Sequence, residues 1–413
     1  MSIADKAHGR RPFGRPEKAL GQVEFVALIA MLVATVAFSI DAMLPALPEI
    51  GAELSPDNLN NAQLIITSFV LGMGLGTFFI GPVADRFGRK PVIAVGATLY
   101  VAATLVAYLA PTLETMLASR LLMGLAASAP RVATMALVRD LYAGRNMARI
   151  MSFVMLIFSL VPALAPSLGA FIIALSGWRS IFIAFALFSL VATLWLMLRQ
   201  PETLAPENRR PLRFTTLFHA AAEVFRHPTA RLSTFVQTLS MGMLFSVLSS
   251  TQQVFDITYG QGETFHLWFG GIAVLAASAS LINARLVGRL GMRAIIKGMF
   301  TAQMALSAGM VLVMMLGLPK QVELVFYALW TVSVFFQAGL TLGNLNALAM
   351  EPMGHIAGSA ASIITATSTV GAVIIAVPIG LNFDGTPLPL AIGIFICACI
   401  ALWITTKIRR DSD

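Results

Sequence analysis

Apolar residues fall in long runs separated by short polar or basic segments. A helix that crosses a membrane needs roughly 20 mostly apolar residues. Twelve runs meet that length, centred near residues 33, 72, 101, 126, 160, 187, 242, 275, 305, 332, 368 and 397. The first six end at Trp195 to Arg199, and the next six begin after Arg231. Between them, Gln200 to Pro228 carries prolines and charges that preclude a span, although Phe214 to Phe225 has the pattern of an amphipathic surface helix. The predicted fold class is an all-α membrane protein of twelve transmembrane helices in two pseudo-symmetric six-helix halves. The expected layout is an N-terminal tail (1–21), a first half (22–199), a linker (200–230), a second half (231–407) and a C-terminal tail (408–413). The first run follows basic residues, as in a signal peptide. It continues from Phe25 through Asp41 to Leu47 without an A-x-A cleavage site, so it is expected to be an uncleaved span.

Composition supports this class. Hydrophobic residues make up 57% of the 413-residue chain, charged residues only 12%, and mean hydropathy is +0.82. An ordinary soluble domain carries roughly 25% charged residues, and disordered chains are polar and charged. Lys and Arg number 28 against 20 Asp and Glu, giving a net charge of +8. With the N-terminus inside, 24 of the 28 cationic residues fall in inside segments, and only Arg179 and Lys320 fall outside. The remaining two, Arg120 and Arg131, lie within the fourth span. Such a bias sets topology and predicts cytoplasmic termini. It also accounts for the basic balance, so no nucleic-acid partner is expected.

Several chemistries have no support. Cys397 and Cys399 are the only cysteines, two apart on a helix and facing different directions. The five histidines, His8, His219, His227, His266 and His355, lack metal-ligand spacing. Neither a phosphate-binding GxxxxGK[ST] loop nor a GxSxG nucleophile motif is present. The chain is therefore read as a non-enzyme without cofactor or metal. Its expected partners are a small-molecule substrate, protons and the lipid bilayer, and it is read as a monomer.

An internal repeat strengthens the two-half reading. GPVADRFGRKPV (Gly81 to Val92) follows the second span, and NARLVGRLGMRAI (Asn283 to Ile295) follows the eighth. At an offset of 203 residues Arg86 matches Arg289 and Gly88 matches Gly291. A half-length offset with the same sidedness implies halves related by an axis along the membrane normal, as in rocking transporters.

Among the acidic residues Asp41 alone sits well inside an apolar span. A carboxylate there costs about 2.5–3.5 kcal/mol on insertion scales and usually faces a cavity or a partner. Burial and a nearby cation pull its proton affinity in opposite directions, as a proton carrier requires. The competing reading is a wet structural residue at the interface before Pro45. Helix rise places Arg120 about 12 Å and Asp41 about 6 Å from the same surface, so an ion pair or water-bridged contact is feasible. Arg131 follows Arg120 by eleven residues, which puts both on one face about 16 Å apart. That face is expected to carry two positive charges down a central cavity. Arg131 then offers a bidentate contact to a carboxylate-bearing substrate, or pairs with a neighbouring helix. Gln337, Asn344 and Asn346 are further candidate cavity residues, and intramembrane methionines such as Met151, Met155, Met241 and Met243 suit an adaptable apolar pocket. In the second-span loop, Gly81 and Gly88 allow tight turns. Asp85 is placed to meet a helix N-terminus or Arg139. Pro162, Pro166 and Gly169 in the fifth span bend it and permit close packing.

These motifs carry a family resemblance. GPVADRFGRKPV resembles the loop signature of the major facilitator superfamily, and RLLMG (Arg120 to Gly124) resembles the helix 4 motif of its proton-coupled drug exporters. SIDAMLPALPEI (Ser39 to Ile50), VRDLYAGR (Val138 to Arg145) and NALAMEPMGHIAGSAAS (Asn346 to Ser362) are similar to the Bcr/CflA (bicyclomycin/chloramphenicol resistance) subfamily of drug:proton antiporters. The resemblance implies drug/proton antiport by alternating access in a bacterial inner membrane. It ties Arg120 to proton coupling, and makes Gly81, Asp85, Arg86, Gly88, Arg89 and Arg139 a conformational latch on the inner side. VPALAPSLGAF (Val161 to Phe171) resembles the exporter signature of helix 5 in part, bringing Pro166 and Gly169 into the gating set. Arg131 departs from the subfamily pattern, and the alternative function is a dedicated transporter of an anionic metabolite bound through Arg131.

Overall fold

The structure, a computed structural model, describes residues 20–209, 211 and 214–408. The tail cations Lys6, Arg10, Arg11, Arg15, Lys18, Arg409 and Arg410, the linker residues Arg210 and Arg213, and His8 lie outside the described residues. Fourteen α-helices run in the order α1 (Gln22–Asp41), α2 (Leu47–Leu54), α3 (Leu64–Phe87), α4 (Arg89–Tyr108), α5 (Leu113–Leu141), α6 (Gly144–Ser176), α7 (Ser180–Arg199), α8 (Phe214–Arg226), α9 (Pro228–Gln253), α10 (Phe265–Leu290), α11 (Met292–Met315), α12 (Lys320–Met350), α13 (Ala357–Leu381) and α14 (Leu388–Thr405). Twelve are long and apolar; the two short ones are α2 and α8. The helices α12 and α13 form one apolar stretch, Lys320–Leu381, broken at the 3₁₀ turn Glu351–Ile356. The twelve-helix membrane fold stands.

Burial and exposure reflect a lipid solvent. Leu198, Ile374, Leu187, Phe171 and Leu281 all stand more than half exposed on the outer faces of their helices. Such a coat of large apolar side chains is out of place in water, and helices that satisfy their own backbone are what a bilayer permits.

The first apolar run is not one helix. The α-helix stops at Asp41, a turn and the 3₁₀ segment Leu44–Ala46 follow, and α2 restarts at Leu47. Pro45 and Pro48 each lack the backbone donor that a continuous helix would need there. Asp41 therefore occupies the last helical position.

Glycines set the closest helix contacts. A Cβ added at Gly72 of α3 would overlap the Leu121 carbonyl, and one at Gly124 of α5 would overlap the Phe69 carbonyl. These two helices meet backbone to backbone, as small residues allow in membrane bundles. The halves join along α3 with α13 and α6 with α10. Gly74 meets Thr369 and Val370 on the first seam, and Gly270 meets the Ala163 carbonyl on the second.

The repeated loops share a backbone conformation. Gly88 (φ 104, ψ 159) links α3 to α4, and Gly291 (φ 79, ψ 157) links α10 to α11. Both lie at positive φ, where a side chain is strained. Helix α8 packs Ala220 and Val224 beneath α13, against Ala360, Ile363 and Ile364.

Candidate functional site

A cavity of about 390 Å³ lies between the two halves. Val36, Ile40 and Asp41 of α1, Met73 of α3 and Arg131 of α5 line it from the first half, with Phe158 and Pro162 of α6. From the second half come Met241, Phe245 and Leu248 of α9, Phe269 of α10 and Phe335 of α12. The wall is almost wholly apolar, and Asp41 and Arg131 are its two charged residues. Of the four methionines singled out in the sequence, Met241 lines the cavity, Met243 is buried in the core, and Met155 is exposed.

Asp41 is 5% exposed and has no ion pair or hydrogen bond among the described residues. Its position depends on Gly169. A Cβ there would overlap the Ala42 carbonyl, so α6 approaches the end of α1 at backbone distance. Gly169 thus seats the residue that follows Asp41.

Arg131 lies one residue after Pro130, a proline inside α5. Its Nη1 is buried without a hydrogen-bond partner among the described residues. A guanidinium in that state is costly to leave unsatisfied, and its open side faces the cavity wall shared with Asp41.

Arg120 departs from expectation. It is fully buried, and it does not pair with Asp41. Its Nη2 donates to the Ser39 carbonyl at 3.0 Å and its Nε to the Ile65 carbonyl at 3.2 Å, with its guanidinium 4.5 Å from the Phe69 ring centroid. Ser39 in turn bonds the Tyr100 hydroxyl. Arg120 therefore fastens α1, α3 and α5 together behind the cavity. The expectation of two arginines down one cavity-facing stripe fails, because Arg120 turns into the packed core and only Arg131 reaches the cavity. Equal helical angle does not fix where a long side chain ends.

Gln337, Asn344 and Asn346 do not line this cavity. The Gln337 Nε2 donates to Ser240 Oγ at 3.0 Å and Thr341 Oγ1 at 2.7 Å, tying α12 to α9. Asn344 donates to Asn283 Oδ1 at 2.8 Å, tying α12 to α10. The Asn346 Oδ1 is buried without a partner among the described residues. Gln337 and Asn344 thus bond within their own half.

The second-span loop forms a compact ionic cluster. Arg89 pairs with Asp85 one turn earlier in the chain and with Asp140 at 3.0 Å. Asp85 was expected to meet Arg139 or a helix N-terminus; it meets Arg89 instead, while Arg86 and Arg139 stand exposed. The helix N-terminus is capped by a residue that sequence reasoning missed. Glu202 accepts from the backbone N–H of Arg89 at 3.1 Å and of Lys90 at 3.0 Å, a favourable place for a carboxylate. A Cβ at Gly88 would crowd that carboxylate, and one at Gly81 would lie 3.3 Å from Ser362 Oγ across the seam. Pro166 is buried within α6.

At the opposite end of the bundle a neutral cluster bridges the halves. Gln63 Nε2 donates to Gln253 Oε1 at 2.6 Å and to the Gly380 carbonyl at 3.1 Å, and Ser250 donates to Gln63 Oε1 at 2.8 Å. Asn60 donates to the Leu381 and Phe383 carbonyls. These pairs join residues 187 to 323 positions apart in the chain, so no local pattern announces them. Among the described residues no group of three or more His, Cys, Asp or Glu is placed to hold a metal ion.

Comparison with known proteins agrees with this architecture. The chain is 29% identical over 385 residues to the bicyclomycin resistance protein homolog of Haemophilus influenzae, covering 92% of this chain and 94% of that protein. A 161-residue stretch is 40% identical to the multidrug resistance protein MdtL of Escherichia coli, covering 38% and 40% of the two chains. The crystal structure of a D-xylose-proton symporter shares the fold, with a TM-score of 0.74 over 94% of this chain and 98% of that one at 13% identity. The family model of the major facilitator superfamily matches residues 27–376. The chain, with its twelve helices, its repeated glycine loops and its cavity between halves, belongs to the major facilitator superfamily and is a membrane transporter of a small molecule, not an enzyme.

Proposed function

We propose that the protein is a proton-driven exporter of small amphipathic compounds, antibiotics among them, working by alternating access. One observation carries this reading: Asp41 is a buried, unpaired carboxylate on the wall of an apolar cavity shared by both halves. With Arg131 on the same wall, an ionised Asp41 leaves the cavity neutral and a protonated one leaves it with one positive charge. A cationic or polarised substrate and a proton then compete for the same carboxylate, which couples the two in opposite directions. Arg120 acts from behind, holding Ser39 and so the register of α1 two residues before Asp41.

The drug range is supported by the names of the resistance proteins to which the chain is similar. The basic end of the bundle, with Arg86, Arg89 and Arg139, is assigned to the cytoplasm by charge. Both termini then lie there too, in a bacterial inner membrane, with residues 200–230 linking half 22–199 to half 231–407. The Asp85–Arg89–Asp140 cluster serves as the latch of the cytoplasmic side.

The test is growth of an efflux-deficient bacterial host on a panel of chloramphenicol-type, bicyclomycin-type, fluoroquinolone and cationic dye compounds. Wild type is expected to raise tolerance to several of them, and Asp41→Asn at matched expression to none. If wild type protects against nothing, broad export fails, and radiolabelled organic acids in vesicles would test Arg131 as a carboxylate site.

A further inference from the structure

A second opening, of about 630 Å³, lies between the halves at the end opposite the basic loops. Pro45, Pro48, Glu49 and Phe171 line it from the first half, and Gln252, Asp256, Glu263 and His266 from the second. It holds three carboxylates and neither Lys nor Arg, in contrast to the balanced central cavity.

Two features go beyond an acidic cluster. Gln252 is 3% exposed, lines this opening, and has no hydrogen-bond partner among the described residues. Its neighbour Gln253 is fully engaged with Gln63 and Asn60, so the chain places one amide in the neutral cluster that bridges the halves and leaves the next free at the opening. Buried side-chain amides normally find partners, and a ligand would supply one here. Asp256 sits on a π-helical turn, Val254–Thr258, that ends α9. Such turns are uncommon and concentrate at functional sites. Gly262 leaves room for its carboxylate, since a Cβ there would overlap it.

The carboxylates do not form a metal site, because no three acidic or histidine ligands converge among the described residues. Apart from Ser167, Gly262 and His266, the remaining wall is proline, phenylalanine, isoleucine and alanine. We propose that this opening is a vestibule that binds organic cations, meaning an ammonium or phosphonium group on an apolar body. The carboxylates raise the local concentration of cations by their summed field, the Gln252 amide oxygen faces the charge, and the apolar wall takes the body. Because its walls belong to both halves, a bound cation also bridges them. The inference deepens the export reading, naming a compound class for the mouth away from the basic loops, and rests on that reading only for its place in transport.

The full chain in lipid nanodiscs would be titrated with tetraphenylphosphonium by equilibrium dialysis. Four proteins are compared: wild type, Asp41→Asn, the combined Glu49→Gln/Asp256→Asn/Glu263→Gln, and Gln252→Glu. Binding is expected to persist in Asp41→Asn and to weaken roughly tenfold or more in the triple variant, taking up to a few-fold per partly exposed charge. Gln252→Glu, which adds a charge, is expected to tighten binding about threefold. That variant moves affinity in the opposite direction from a folding defect. Wild-type affinity in the triple variant, or no change in Gln252→Glu, would overturn the proposal. So would loss of all binding in Asp41→Asn, which would place the cation in the central cavity. A protein that binds through these carboxylates yet protects no host keeps the vestibule and loses the export reading.

Discussion

Arg120 reaches the carbonyl of Ser39, 3.0 Å away on α1, and leaves Asp41 two residues further along unpaired. The arginine thereby fixes the helix that carries the carboxylate without neutralising it. Lysine keeps the charge but loses the fork that spans Ser39 and Ile65. Arg120→Lys is expected to lower the stability of the protein by about 1–3 kcal/mol through an unsatisfied carbonyl and an ill-placed buried charge. Thermal unfolding in detergent measures this. Transport should fall with it, whereas an arginine that merely tuned Asp41 as an ion pair would leave unfolding unchanged.

Gly124 offers a purely steric test. Its Cβ would overlap the Phe69 carbonyl, and neither backbone can yield without separating α3 from α5. Gly124→Ala is expected to destabilise by about 1–3 kcal/mol. Gly298→Ala, at a helical site with nothing within 4 Å, should be neutral or slightly stabilising by up to about 1 kcal/mol. Yield and melting temperature of the pair compare the two.

The amide cluster predicts a conformational shift. Gln63→Ala removes the bonds to Gln253, Gly380 and Ser250 that hold the halves together at one end. At about 1 kcal/mol for each of the three hydrogen bonds, the ratio of closed to open molecules at that end should fall by roughly a hundredfold. Spin labels across the α3–α13 seam, read by pulsed electron resonance, should show a longer distance in a larger fraction of molecules. An unchanged distribution would mean that packing alone closes this end.

Glu202 predicts an effect at the other end. It satisfies the first amides of α4 and ties them to the segment after α7. Glu202→Ala should cost about 0.5–2 kcal/mol, as for other lost helix caps. Amide hydrogen exchange should rise at Arg89 and Lys90 and stay level in α12.

Much of this architecture was legible in the sequence because lipid imposes a length and a polarity on every span. The Gly88 and Gly291 match carried the two-half relation, since positive φ demands glycine at both loops. Asp41 was legible because one carboxylate in an apolar run has few explanations. Arg120 was misplaced because helix angle gives the direction of a Cα–Cβ bond and not the end of a flexible side chain. Gln337 and Asn344 were misassigned for a related reason: polarity inside a span signals a partner, and the partner here is another helix. Glu202, Gln63 and Gln253 were invisible because their roles arise only when distant segments meet.

The most direct test of the account is proton-driven transport by Asp41→Asn. Purified protein in proteoliposomes would be given an imposed pH gradient and a labelled substrate found in the growth panel, with substrate exchange at equal pH as the control for folding. The account predicts that wild type accumulates substrate against its gradient, and that Asp41→Asn exchanges substrate but does not accumulate it. Accumulation by Asp41→Asn at the wild-type level would contradict the claim that this carboxylate couples the proton to the load.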